Sequence, residues 1–108
     1  MTTSDVSLFY SSLASDPDMA ELVEMFVDEM PDRVERLEEL LRTAQWEELG
    51  RFAHQMKGAC GSYGFAELTS LAERLEKAVR GGEAEDVIQD ALQSLVDGCR
   101  GARAGQPD

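Results

Sequence analysis

Val23, Val27, Met30, Val34, Leu37, Leu41 and Ala44 recur at alternating steps of four and three, with acidic residues between them. That spacing returns apolar side chains to one face of an α-helix and is incompatible with a strand, whose period is two. Pro31 falls inside the stripe without shifting its phase, so the pattern predicts one long kinked helix. Asp16 or Asp18 is placed to cap its start, with Pro17 fitting a first turn. A second stripe comprises Leu49, Phe52, Ala53, Met56, Cys60 and Tyr63, opened by Trp46, Glu47 and Glu48 and stopping near Gly64. A third is Leu68, Leu71, Ala72, Leu75 and Val79, ended by Gly81-Gly82. The fourth is Val87, Ile88, Ala91, Leu92, Leu95 and Cys99, ended by Gly98 and Gly101. No segment alternates apolar and polar residues over six positions. The expectation is an all-α fold: an antiparallel up-and-down four-helix bundle, with Leu8, Phe9 and Leu13 forming a short N-terminal capping helix.

At 108 residues this reads as a single domain over 1–108, with a core from about 8 to 99 and a frayed tail from Arg100 to Asp108. Ten Lys and Arg against twenty-two Asp and Glu give a net charge of −12. Such a balance argues against nucleic acid and anionic membranes as partners, since both are bound through clustered cations. No apolar stretch reaches the roughly 18 residues of a membrane span. The start, Met1 to Asp5, lacks the basic and apolar regions of a signal peptide. Cys60 and Cys99 offer no CxxC spacing and fall inside helical stripes, which fits two reduced, buried thiols in a cytoplasmic protein.

His54 is the single histidine, and Lys57, one of two lysines, follows three residues later. On a helix His54, Lys57, Gly58 and Gly61 share one face, rotated away from Phe52, Met56 and Cys60, so His54 should meet solvent. Glycine inside a helix costs roughly 1 kcal/mol relative to alanine. Two of them beside an exposed imidazole leave room for a bulky group on the ring and for the approach of another backbone. Neutral imidazole is a nucleophile near neutral pH, and an ammonium one turn away can neutralise phosphoryl oxygens. Reversible phosphorylation of His54 fits all of these features. Nothing in the chain forms a GxxxxGK[ST] loop or another ATP-binding signature, so the phosphoryl group would come from a second protein. No metal-ligand constellation is present either, so Mg²⁺ would be supplied by that partner, and no cofactor is expected.

The segment His54-Gln55-Met56-Lys57-Gly58-Ala59-Cys60-Gly61-Ser62-Tyr63-Gly64-Phe65 resembles the histidine phosphotransfer (HPt) family, whose signature is HxxKG on the second long helix of a four-helix bundle with a trailing glycine. Leu68 and the stretch Phe26 to Pro31 extend the likeness. Gln45 stands where many members have aspartate, and Gly61 where many carry a larger polar residue. The resemblance implies that His54 exchanges phosphate with an aspartate of a response-regulator receiver domain or a hybrid histidine kinase in a phosphorelay. It also implies that Lys57 assists electrostatically and that Gly58 makes space. The docking surface would then be Gln55, Gly58 and Gly61, on a monomeric, stand-alone carrier that is not itself an enzyme. Two alternatives stay open at this stage: a phosphate-independent helical adaptor, and the dimerisation and phosphoacceptor fragment of a histidine kinase.

Overall fold

A computed structural model describes residues 8–105. Its elements run β1 (Phe9–Tyr10), α1 (Ala20–Asp28), α2 (Met30–Arg42), α3 (Trp46–Ser62), α4 (Ala66–Arg80), α5 (Glu85–Arg100) and β2 (Ala102–Arg103). Among the described residues the regular structure is all helical apart from that pair of two-residue strands. Helices α2 to α5 pack in a closed circuit, α2 on α3, α3 on α4, α4 on α5 and α5 back on α2. The expected stripes fill the centre: Leu49, Ala53, Met56 and Cys60 of α3, Leu68, Ala72 and Leu75 of α4, and Ile88, Ala91, Leu92, Leu95 and Cys99 of α5 are buried. Val87, counted in the fourth stripe, is exposed on the first turn of α5.

The long helix is broken rather than merely kinked. Glu29 sits between α1 and α2 at φ −88°, ψ −4°, and Pro31, which has no N–H to donate, falls in the first turn of α2. A buried face continues across the break, running Val23, Phe26, Met30, Val34, Leu37 and Leu40, while Val27 and Leu41 of the expected stripe are only half-buried beside it. Ala44, expected on this stripe, lies beyond the helix and is exposed, because its φ of 55° turns the chain into α3. Tyr63, at the end of α3, stacks on Phe26 with ring centroids 4.5 Å apart. The Arg33 guanidinium caps that pair, 4.7 Å above the Phe26 ring.

Both termini depart from the sequence expectation. Leu8, Phe9 and Leu13 form no capping helix. Phe9–Tyr10 pairs in parallel with Ala102–Arg103 (Phe9 opposite Ala102, Tyr10 opposite Arg103). The Phe9 N–H donates to Gly101 O, the Ser12 N–H to Gly64 O, and the Ser11 hydroxyl to the Tyr63 carbonyl. A run this short cannot offset the cost of helix nucleation, whereas these long-range bonds satisfy the same backbone groups. The C-terminal segment is accordingly ordered through Arg103, with Gly101 and Ala102 buried; positions 106–108 of the expected frayed tail lie outside the described residues. Gly98 does not end α5 either. A Cβ there would lie 2.7 Å from Leu68 Cδ2 and 2.9 Å from Leu71 Cδ1, so this glycine lets α5 lie close against α4.

Gly64 ends α3 as expected, at φ +81°. A Cβ there would also meet Ser11 Oγ at 2.7 Å and Leu13 Cγ at 3.1 Å. Gly64→Ala should therefore destabilise the fold by about 1–3 kcal/mol, through left-handed strain and collision with the N-terminal segment. Urea unfolding followed by circular dichroism checks this; a midpoint equal to that of the unsubstituted protein would mean the segment yields freely.

Candidate functional site

Helix α3 begins without a side-chain cap: Gln45 points its amide to Thr43 Oγ1 at 2.9 Å instead of to the helix. Glu47 and Glu48 in the first turn complement the helix dipole. With Leu49, Ala53, Met56 and Cys60 facing inward, His54 is turned outward near the middle of the helix, its side chain 58% exposed. Gln55, Gly58 and Gly61 are exposed along the same outer surface, and Lys57 is half-buried toward α4. Phe52, expected in the core, is only half-buried and borders a groove to α2 lined by Glu29, Asp32, Arg33 and Arg36.

A Cβ at Gly58 would meet nothing within 4 Å. The glycine is thus not demanded by packing inside this chain, and its absent side chain leaves clear space beside the imidazole. At Gly61 a Cβ would make only an ordinary contact with Thr69 Oγ1 at 3.6 Å.

The residue that sequence reasoning missed is Glu76, on α4. It is 6% exposed, one of two buried polar or charged residues among those described, and it collects three partners. His54 Nδ1 lies 3.0 Å from Oε2, Lys57 Nζ 3.1 Å from Oε1 and Arg80 Nη1 2.6 Å from Oε2. Burial pulls the Glu76 carboxyl toward its neutral form. Hydrogen bonds from Lys57 and His54, and the charges of Lys57 and Arg80, outweigh that and hold it below the ordinary value of 4.5. An ionised carboxylate can only accept, so Nδ1 must carry the hydrogen of the imidazole. The other nitrogen, Nε2, then bears the lone pair in the neutral ring. Signal for Glu76 was present: it stands four residues after Ala72 and three before Val79, inside the third apolar stripe rather than opposite it.

Because its folded value is lowered, Glu76 takes up a proton at higher pH in the unfolded chain than in the native one. Its stabilising effect is present above about pH 4.5 and disappears as pH falls through the lower native value. Melting temperature should accordingly fall more steeply with acidification below pH 4.5 in the unsubstituted protein than in Glu76→Gln. Parallel curves for the two would remove Glu76 from the acid response.

Lys57, Lys77 and Arg80 line a shallow groove of about 410 Å³ that also takes in Glu76, so both lysines of this acidic chain are gathered there. The larger groove, about 500 Å³ between α2 and the end of α5, is lined by Val27, Met30, Val34 and Cys99 and does not include His54. Burial pushes the thiols of Cys60 and Cys99 up to about 12, so both stay protonated and are poor nucleophiles, in keeping with two free, buried cysteines. Among the described residues no helix is long and apolar enough to cross a membrane.

Comparison with known proteins covers the same region. The family model of the Hpt domain matches residues 21–102, a span that includes His54, Lys57, Gly58, Glu76 and Arg80. Over 96 residues the chain is 28% identical to the signal transduction histidine-protein kinase BarA of Shigella flexneri and to that of Escherichia coli strain K12. The alignment covers 88% of this chain and 10% of each relative, so the chain spans about a tenth of their length. No solved structure matches it.

Proposed function

Because the chain belongs to the Hpt domain family, we propose that it is a phosphoryl carrier of a phosphorelay, with His54 as its acceptor. The observation that carries this reading is a largely exposed imidazole tied through Nδ1 to a buried carboxylate, which leaves the lone pair of the neutral ring on Nε2. In the accepting direction Nε2 attacks the phosphorus of a partner's aspartyl phosphate. An N–P bond forms, the acyl P–O bond breaks, and the aspartate leaves as carboxylate. Donation is the reverse.

Glu76 holds the ring in one tautomer and one orientation, so little reorganisation is needed at the moment of transfer. Lys57 neutralises charge on the phosphoryl oxygens, the main electrostatic demand of this reaction. Gly58 provides clearance, and the partner docks over Gln55, Gly58 and Gly61. Receiver domains of response regulators or of hybrid histidine kinases are the partners, bringing the reacting aspartate and its Mg²⁺. The chain needs no cofactor of its own and turns nothing over alone, which makes it a carrier and not an enzyme. The kinship to part of a histidine-protein kinase supports this class of partner.

The carrier is a single domain built as an antiparallel up-and-down four-helix bundle, a reading supported by the short α2–α3 and α3–α4 connections and the closed circuit of helix contacts. It acts as a monomer in the cytoplasm. Incubation with a phosphorylated receiver domain tests the proposal. Acid-labile, base-stable label should pass to the chain, as a phosphoramidate requires. Absence of label with every receiver domain of the host would overturn it in favour of a phosphate-independent adaptor.

A further inference from the structure

Glu76 carries more positive partners than one carboxylate needs. Its Oε1 takes Lys57 at 3.1 Å, while Oε2 takes both His54 Nδ1 at 3.0 Å and Arg80 Nη1 at 2.6 Å. The carboxylate is buried, yet Lys57 and Arg80 reach it from the surface, with side chains 31% and 56% exposed. Those two cations also stand beside the acceptor: Lys57 is one turn from His54, and Arg80 shares the oxygen to which the ring is tied. A buried carboxylate depends on its partners, because losing one leaves a desolvated charge unpaired.

Resting on the phosphocarrier reading above, we propose that Glu76 competes with the phosphoryl group for Lys57 and Arg80, and that this competition shortens the lifetime of phospho-His54. A phosphoryl group on Nε2 brings up to two negative charges, more than the carboxylate offers. Lysine is a point charge on a flexible stem and can turn from one to the other. To the extent that Lys57 turns, Glu76 loses a partner. To the extent that it stays, the phosphoryl oxygens lack one. With Nδ1 keeping its hydrogen the phosphorylated ring is cationic, which strengthens its own bond to Glu76 but supplies no cation to the phosphoryl oxygens. The contest over Lys57 and Arg80 therefore puts a cost on the phosphorylated state that the resting state lacks.

That cost is relieved as the phosphoryl group departs. The N–P bond breaks with its electron pair remaining on Nε2, and Nδ1 keeps its hydrogen on Glu76. Phosphorus bonds to an incoming oxygen, either the receiver's carboxylate or a water that gives its proton to solvent. In the loose transition state the metaphosphate-like group holds less negative charge on its oxygens than the bound phosphoryl group, so Lys57 still attends those oxygens while part of the cations' pull is already restored to Glu76.

The test uses Glu76→Gln, which keeps an oxygen for Nδ1 but removes the charge. Both proteins are labelled by a phosphorylated receiver domain, separated from it, and followed for loss of label at neutral pH. The variant's phosphohistidine should last about tenfold longer, the factor that roughly 1.4 kcal/mol makes in a rate. In a Lys57→Gln, Arg80→Gln background, where no cation is left to compete for, adding Glu76→Gln should bring no gain. An equal or shorter lifetime in the single variant, or a gain that persists in the background lacking both cations, overturns the proposal. Failure of the unsubstituted chain to accept label overturns the carrier reading itself. A second measurement needs no variant: the ¹³C resonance of the Glu76 carboxyl carbon should move on phosphorylation of His54. An unmoved resonance means Glu76 keeps its partners and the competition does not exist.

Discussion

Replacing His54 with glutamine should abolish phosphorylation by a receiver domain and leave the helical circular dichroism unchanged. The chemical half of that expectation rests on uniqueness. His54 is the single imidazole of the chain, and the two thiols are buried with values near 12. The structural half rests on the surroundings of the ring. His54 is largely exposed and contributes one hydrogen bond, to Glu76, which keeps Lys57 and Arg80 as partners when the imidazole is gone. A glutamine amide can also donate to the carboxylate, so no buried charge is orphaned. Transfer should fall below detection while the melting temperature moves by a few degrees at most. Label persisting on His54→Gln would place the acceptor elsewhere and dismantle the site as described.

Gly58→Leu should have nearly as large an effect on transfer, with the opposite effect on the fold. A side chain at this exposed helical position meets nothing in the chain itself. Leucine has the better helix propensity, so the variant should gain somewhat under about 1 kcal/mol in stability. Its side chain would nevertheless stand on the same face as His54, one helical turn away, in the space through which an aspartyl phosphate must reach Nε2. Near-attack geometry tolerates little displacement, and a misplacement of about 1 Å can cost on the order of a hundredfold. The expected pattern is a protein slightly more resistant to urea whose rate of labelling drops a hundredfold or more. Wild-type labelling by Gly58→Leu would mean that partners approach from another side and that the glycine is only an irregularity of the helix.

Helices α3, α4 and α5 could be read from periodicity because each buries a stripe against its neighbours and each stops at or just before a glycine. The outward facing of His54 followed from the same arithmetic, since the buried faces of Met56 and Cys60 fix where position 54 must point. Glu76 escaped because acidic residues in a chain with twenty-two of them read by default as solvated. Only its register against Ala72 and Val79 marks it as inward, and only the fold brings α4 beside Lys57 and His54. The N-terminal segment escaped for a different reason. Its extended shape is set by hydrogen bonds to Gly101 and Gly64, distant partners that no local pattern records. Gly98 misled because a glycine that thins a helix for close packing and one that terminates it look alike in a sequence.

Pairing of Phe9–Tyr10 with Ala102–Arg103 brings the incoming and outgoing chain to within one strand spacing, about 4.8 Å. Because the two strands run in parallel, the chain enters at one end of the pair and leaves at the other, so in a fused protein attachment before and after the domain would not be equivalent. A segment joined ahead of Phe9 would start from one end of the pair and one joined behind Arg103 from the other, so the two would be tethered from separate anchors and their linkers need not match in length.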